Sequence, residues 1–122
     1  MNVVTLPPIS HWYVTLTLSG DAWCEPALCD ALDRLVDERP LLQSCRYGLD
    51  AVELRYWEQA ADVQDAAAMA LRLWGEHKQS AALPDWHVVG LEVVHRDTIH
   101  RRRLEGLHAQ PVALALAEVR PF

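Results

Sequence analysis

The sequence has little of several residue types, and each shortage narrows the possible functions. Its 122 residues include five glycines, and these form neither a G-x-G-x-x-G pattern nor a P-loop, the motifs whose backbone amides cradle a nucleotide. No G-x-S-x-G motif marks a nucleophile elbow. We therefore predict no cofactor, and no motif identifies a catalytic residue.

Long apolar runs are also missing. No stretch approaches the roughly 20 residues needed to cross a bilayer, and residues 1–10 lack the basic and apolar regions of a secretory signal. The three cysteines, Cys24, Cys29 and Cys45, are odd in number and show no two-residue spacing typical of zinc ligands. These features predict a cytoplasmic protein with reduced thiols, no membrane partner and no metal site.

Lysine is almost absent, since Lys78 is the only lysine in a chain of net charge -6. The other cations are arginines, whose planar guanidinium groups suit carboxylates and phosphates. Four of them lie in residues 95–103, HRDTIHRRR, whereas residues 21–65 are rich in acids. A short basic segment on an acidic chain does not favour nucleic-acid binding, which requires a broad basic surface.

Hydrophobic periodicity predicts five strands and two helices in a single domain of residues 1–122. Alternating apolar side chains, as in HWYVTLTL, indicate half-buried strands, and apolar residues at helical spacing indicate helices. Pro26 suits the first turn of the first helix, and Asp62 can cap the second. The predicted strands cover residues 11–18, 41–47, 51–59, 86–95 and 112–119, and the predicted helices cover 25–38 and 62–83.

The order of these elements is β-α-β-β-α-β plus one C-terminal strand. Right-handed crossovers around a hairpin then give an antiparallel sheet with two helices on one face. The predicted fold class is therefore α+β, a ferredoxin-like two-layer sandwich.

In that arrangement the second face of the sheet has no helical cover. His11, Tyr13 and Trp57 point to that face, together with an apolar side of residues 88–94. Because an exposed apolar face favours an interface, we predict a homodimer that packs sheet to sheet or joins its sheets edge to edge. Cover by the fifth strand and the N-terminal segment is the alternative.

The basic segment HRDTIHRRR is the leading candidate for a binding site. If it extends from the preceding strand, Arg101 and Arg103 point the same way and can hold an anion through charge-assisted hydrogen bonds. Ile99 and Leu104 would anchor the segment. Pairing of the arginines with the acidic surface of the predicted helix at residues 25–38 or of a partner subunit is the alternative. The candidate anion-binding residues are Arg96, His100, Arg101 and Arg103.

The leading functional hypothesis is a non-enzymatic homodimeric module that binds a small anionic ligand or a protein partner. The alternative is a small enzyme of the dimeric α+β barrel type, with a pocket between sheet and helices formed by His11, Tyr13 and Trp57. Histidine would be the natural proton carrier in that enzyme, since its reference pKa of ~6.5 lies near physiological pH. The sequence alone leaves the choice between them open.

Overall fold

The computed structural model describes residues 8–105 and 118–122. These residues form an α+β structure with a five-stranded mixed sheet and three helices. The strands are β1 (Ser10–Ser19), β2 (Leu42–Gly48), β3 (Ala51–Ala60), β4 (His87–His95) and β5 (Val119–Pro121), and the helices are α1 (Glu25–Glu38), α2 (Val63–Lys78) and α3 (Arg96–Leu104).

The sheet has the strand order β4-β1-β3-β2-β5. Its first four strands pair antiparallel, and β5 pairs parallel with β2. The alternation predicted for residues 11–18 is confirmed, because Val14, Leu16 and Leu18 are fully buried on one face. They lie opposite the apolar side chains of β3 and form one core with the buried sides of α1 and α2.

The two predicted helices form close to their predicted bounds. Pro26 lies in the first turn of α1, and the Asp62 carboxylate caps α2 by accepting a hydrogen bond from the Asp65 amide at 2.8 Å. Helix α2 ends at Lys78, earlier than predicted, because Ala82 takes a left-handed conformation (φ 53°) and the Leu83 amide turns back to bond the Lys78 carbonyl. The helical pattern therefore continues in sequence beyond the residues that are helical.

The extended conformation predicted for residues 95–103 is wrong, since this segment forms α3. His95 ends β4 and caps the helix by accepting a hydrogen bond from the Asp97 amide at 3.1 Å. Asp97 lies in the first turn and three arginines lie in the last turn, which matches the helix dipole. These local charges favour a helix although the segment has little apolar periodicity.

Helix α3 covers part of the sheet face opposite α1 and α2. Val94 points to that face and is 8% exposed, and Ile99 of α3 is 6% exposed. Arg102 also pairs with Glu92 on that face, at 3.9 Å. The prediction of a second face without helical cover is therefore wrong in part. The predicted anchoring role is correct for Ile99 but wrong for Leu104, which is 75% exposed.

Most of the strand predicted at residues 112–119 lies outside the described residues. Its last position, Val119, begins β5 beside Cys45 of β2. Within residues 8–105 and 118–122, no helix has the length and apolar character required to span a membrane.

Candidate ligand cleft

A cleft of about 620 Å³ opens where β3 extends beyond β2. The pairing of β2 with β3 begins at Leu42 and Tyr56, whereas β3 and β1 remain paired as far as Ala60. The last residues of α1 and α2 complete the walls. This volume lies in the range of about 300–1,000 Å³ typical of small-molecule sites. Aromatic and ionisable side chains line it, including His11, Glu38, Arg39, Tyr56, Trp57, Glu58 and His77.

Arg39 is the cation of the cleft wall, immediately after α1. Its guanidinium carbon lies 5.6 Å from the centre of the Tyr56 ring, a distance typical of a cation–π contact. Arg39 Nη2 lies 3.7 Å from Glu58 Oε2, which is an ion pair but too long for a hydrogen bond. The described residues therefore hold the guanidinium in place while leaving it able to donate hydrogen bonds to a ligand.

Glu58 is an acid placed where the strand pattern calls for an apolar residue. It follows Val52, Leu54 and Tyr56 on the core side of β3, and its side chain is 14% exposed. Burial raises the pKa of Glu58, and the positive charge of Arg39 opposes that shift. This carboxyl group can therefore hold a proton at a higher pH than an ordinary glutamate, which suits it to proton exchange with a ligand.

A second acid, Glu38, joins the ends of α1 and α2. Its Oε1 lies 2.7 Å from His77 Nδ1 and also accepts a hydrogen bond from the Ser80 hydroxyl. The hydrogen bonds from Ser80 and then from His77 lower the pKa of Glu38. An ionised carboxylate can only accept, so Nδ1 of His77 carries the proton. The other ring nitrogen, Nε2, is the one left to bind a ligand in the cleft.

Two of the three predicted pocket residues line this cleft, and the third does not. His11 and Trp57 lie in its wall, and His11 Nε2 is 3.2 Å from Gln59 Nε2. Tyr13 lies on the sheet face covered in part by α3, with its ring centre 4.9 Å from that of Trp57. Burial raises the pKa of Tyr13, whereas the charges of two arginines, Arg55 and Arg103, lower it.

The four predicted anion-binding residues do not form one group. The spacing of Arg96, His100 and Arg103 places them along one side of helix α3. Arg101 lies two residues from Arg103, and helical residues at that spacing do not face each other. The prediction that Arg101 and Arg103 point together is therefore wrong, because it assumed an extended chain.

The described residues contain no group of three or more histidine, cysteine, aspartate or glutamate side chains that could hold a metal ion. His95 and Asp97 form a close histidine–carboxylate pair, with His95 Nδ1 3.7 Å from Asp97 Oδ2. The same nitrogen accepts the Asp97 amide hydrogen bond. This pair therefore serves as a helix cap.

The family model described as "Domain of unknown function (DUF8830)" matches residues 11–110 of the chain. The chain belongs to this family. No curated protein matches it. Every cleft residue named above lies within the DUF8830 domain, so the cleft is formed by the domain itself.

Four polar residues of this DUF8830 cleft, Glu38, Arg39, Glu58 and His77, are missing from the sequence-based candidates. Glu58 has a recognisable signal, because it occupies a core-facing position in the alternation of β3. Glu38 and His77 have none, since they are 39 residues apart and meet only through the packing of two helices.

Proposed function

We propose that the protein is a homodimeric module that binds a small anionic ligand in the cleft, with Arg39 as the anchor for a carboxylate. The observation that carries this proposal is the placement of Arg39, over Tyr56 and 3.7 Å from Glu58. A guanidinium binds a planar carboxylate through two parallel hydrogen bonds. Trp57, which lies on the opposite side of β3 from Tyr56, also lines the cleft and offers an aromatic surface to a ligand that reaches around the strand edge.

Arg39 and Glu58 are expected to act on the ligand in opposite directions. Arg39→Gln removes the charge-assisted hydrogen bonds, which are worth about 1.5–3 kcal/mol, or roughly ten- to hundredfold in affinity. Glu58→Gln removes a carboxylate that competes for the same guanidinium, so it is expected to tighten binding. Arg72→Gln is the matched control, because Arg72 lies exposed on α2 and pairs with Glu76.

Titration with benzoate, followed by the indole N–H signals in nuclear magnetic resonance spectra, tests this proposal. Benzoate combines the carboxylate with an aromatic ring, and Trp57 provides a reporter in the cleft wall. We expect the Trp57 signal to shift in the wild type and the Arg72→Gln variant, and to shift at much higher benzoate concentration in Arg39→Gln. Equal affinities of the wild type and Arg39→Gln would refute Arg39 as the anchor.

The basic side of α3 is a second proposed anion site. The charges of Arg103 on α3 and Arg55 on β3 both lower the pKa of Tyr13 on the sheet face that α3 covers in part, so two cations from different elements act on one phenol. Titration with inorganic phosphate distinguishes the two locations. A response that Arg103→Gln abolishes and Arg39→Gln leaves intact assigns the anion to α3.

The homodimer is proposed to form through the outer edge of β4. This strand is at one end of the sheet order, and Val89 on it is 63% exposed. A long edge strand with exposed apolar residues is a template for pairing with another strand. Because α3 covers part of the sheet face opposite α1 and α2, joining of the β4 edges is more favourable than packing of two such faces against each other.

We also propose a ferredoxin-like core and a cytoplasmic location. The antiparallel order β4-β1-β3-β2 supports the first, with α3 and β5 as additions. The three free cysteines support the second, because reduced thiols are typical of the cytoplasm.

An enzyme with its active site in the same cleft is the second candidate function. The observation that favours it is the hydrogen bond between His77 and Glu38, because a carboxylate that fixes the histidine tautomer is a recurring feature of general-base sites. Binding without reaction remains the simpler function that Arg39 supports.

A further inference from the structure

The Glu38–His77 pair lies in the wall of the cleft that contains Arg39. Glu38 ends α1 and His77 lies in the last turn of α2, so each side chain is held by its own helix. Ser80 donates to the same Glu38 oxygen that His77 contacts, which fixes the carboxylate from a second direction. A histidine oriented in this way presents Nε2 as a base in a defined position.

We propose that Glu38 and His77 form a general-base dyad that removes a proton from the carbon next to the carbonyl group of a small keto acid held by Arg39. The inference rests on the proposed ligand site and adds a reaction to it. His77 is the catalytic residue, since its Nε2 would touch the substrate. Glu38 is a positioning residue that acts through His77.

The reaction is an enolisation in which all atoms and electrons are conserved. His77 Nε2 takes the proton, and the electron pair of the C–H bond forms the carbon–carbon double bond of the enol. The electron pair of the carbonyl π bond moves to its oxygen, which takes a proton from the protonated form of Glu58, whose population falls as the pH rises through its folded-state pKa. Glu58 is then a carboxylate beside Arg39, and the His77 imidazolium is paired with Glu38. The reverse steps restore the keto acid.

Glu58 suits the acid role because of its surroundings. Arg39, which follows α1, places Nη2 3.7 Å from Glu58 Oε2. Glu76 on α2 carries a charge of the same sign as ionised Glu58. Burial raises its pKa, and Glu76 contributes in the same direction. Two titratable groups with different surroundings, one holding a proton and one accepting it, are typical of acid–base catalysis.

Proton exchange in heavy water tests the dyad without assuming the natural substrate. The probe is phenylpyruvate, which has a carboxylate for Arg39, an aromatic ring for Trp57 and acidic C–H bonds next to its carbonyl. Loss of its benzylic proton signal measures enolisation, and the shift of the Trp57 indole signal measures binding. The matched control is His87→Asn, because His87 is an exposed histidine on β4.

We expect the wild type and His87→Asn to speed the exchange above the buffer rate. His77→Asn is expected to lose roughly a hundredfold or more of that acceleration, the usual contribution of a general base, while binding phenylpyruvate within about threefold of the wild-type affinity. Glu38→Gln is expected to lower kcat with little change in KM, which a purely structural contact between the helices would not do. This variant keeps a hydrogen-bond acceptor for Nδ1, so it tests the dyad even if His77→Asn unfolds.

Two failures are distinguishable. Phenylpyruvate that binds at Trp57 without faster exchange, or exchange that Glu38→Gln and His77→Asn leave unchanged, overturns the dyad and leaves the ligand site standing. If phenylpyruvate does not shift the Trp57 signal, and the wild type and Arg39→Gln exchange the proton at the same rate, both the ligand site and the dyad are overturned.

Discussion

Replacing Gly20 with alanine is expected to destabilise the protein through a single contact. A Cβ atom at Gly20 would lie 2.3 Å from Cδ1 of Trp86, closer than packed atoms approach. Trp86 cannot easily retreat, since its Nε1 donates a hydrogen bond to the Asp21 carbonyl at 2.8 Å. Its ring also stacks on that of Trp74, with centres 6.2 Å apart and planes 2° from parallel.

The magnitude follows from the cost of forcing an extra atom against a buried, packed side chain, Trp86, typically about 1–3 kcal/mol. Gly75 provides the matched control, because a Cβ atom there meets no heavy atom within 4 Å. Alanine at this helical position is expected to raise the free energy of unfolding by about 0.5–1 kcal/mol. Gly20→Ala should therefore lower the free energy of unfolding, whereas Gly75→Ala should raise it.

Urea unfolding followed by far-ultraviolet circular dichroism measures both variants without depending on the tryptophan signals that Gly20→Ala would disturb. Thermal unfolding gives a second measure, since in a domain of this size each kcal/mol of stability corresponds to a shift in Tm of roughly 3–5 °C. A Gly20→Ala variant as stable as the wild type would refute the packing argument. A Gly75→Ala variant that loses stability would refute the assignment of open space around Gly75.

Three further predictions concern titration, thiols and assembly. Glu58→Gln is expected to stabilise the fold at neutral pH, because burial raises the pKa of Glu58, and the gain should shrink as the pH falls through the folded-state pKa. Glu38→Gln should lower the free energy of unfolding at neutral pH, because the Ser80 hydrogen bond lowers the pKa of Glu38, and this loss should shrink as the pH falls. Urea unfolding at neutral and acid pH in which both variants change the free energy of unfolding in the same direction would contradict these two predictions. The denatured, unreduced chain should titrate three thiols, while in the folded protein Cys45 should resist alkylation, because burial raises its pKa to about 12. Light scattering should give twice the chain mass of 13.8 kDa, and Val89→Lys should give the monomer mass; a monomeric wild type would contradict the dimer.

The strands and the first two helices follow from patterns between near neighbours in sequence. Alternation over residues 11–18 identifies the buried side of β1, and Asp62 identifies the start of α2. Helix α3 cannot be predicted from apolar periodicity, because Ile99 is its only buried residue. Its signal is electrostatic: an aspartate in the first turn and arginines in the last.

Except for α3, the sequence by itself determines which of the described stretches are strands and helices and which sides of them are apolar, because backbone hydrogen bonding and side-chain periodicity are local properties. Only the tertiary structure decides that Arg39 lies over Tyr56 and that Glu38 meets His77. These contacts join residues far apart in the chain, and their geometry depends on how α1 and α2 pack on the sheet. The position of the cleft has the same origin, since it exists where β3 continues past the first paired residue of β2.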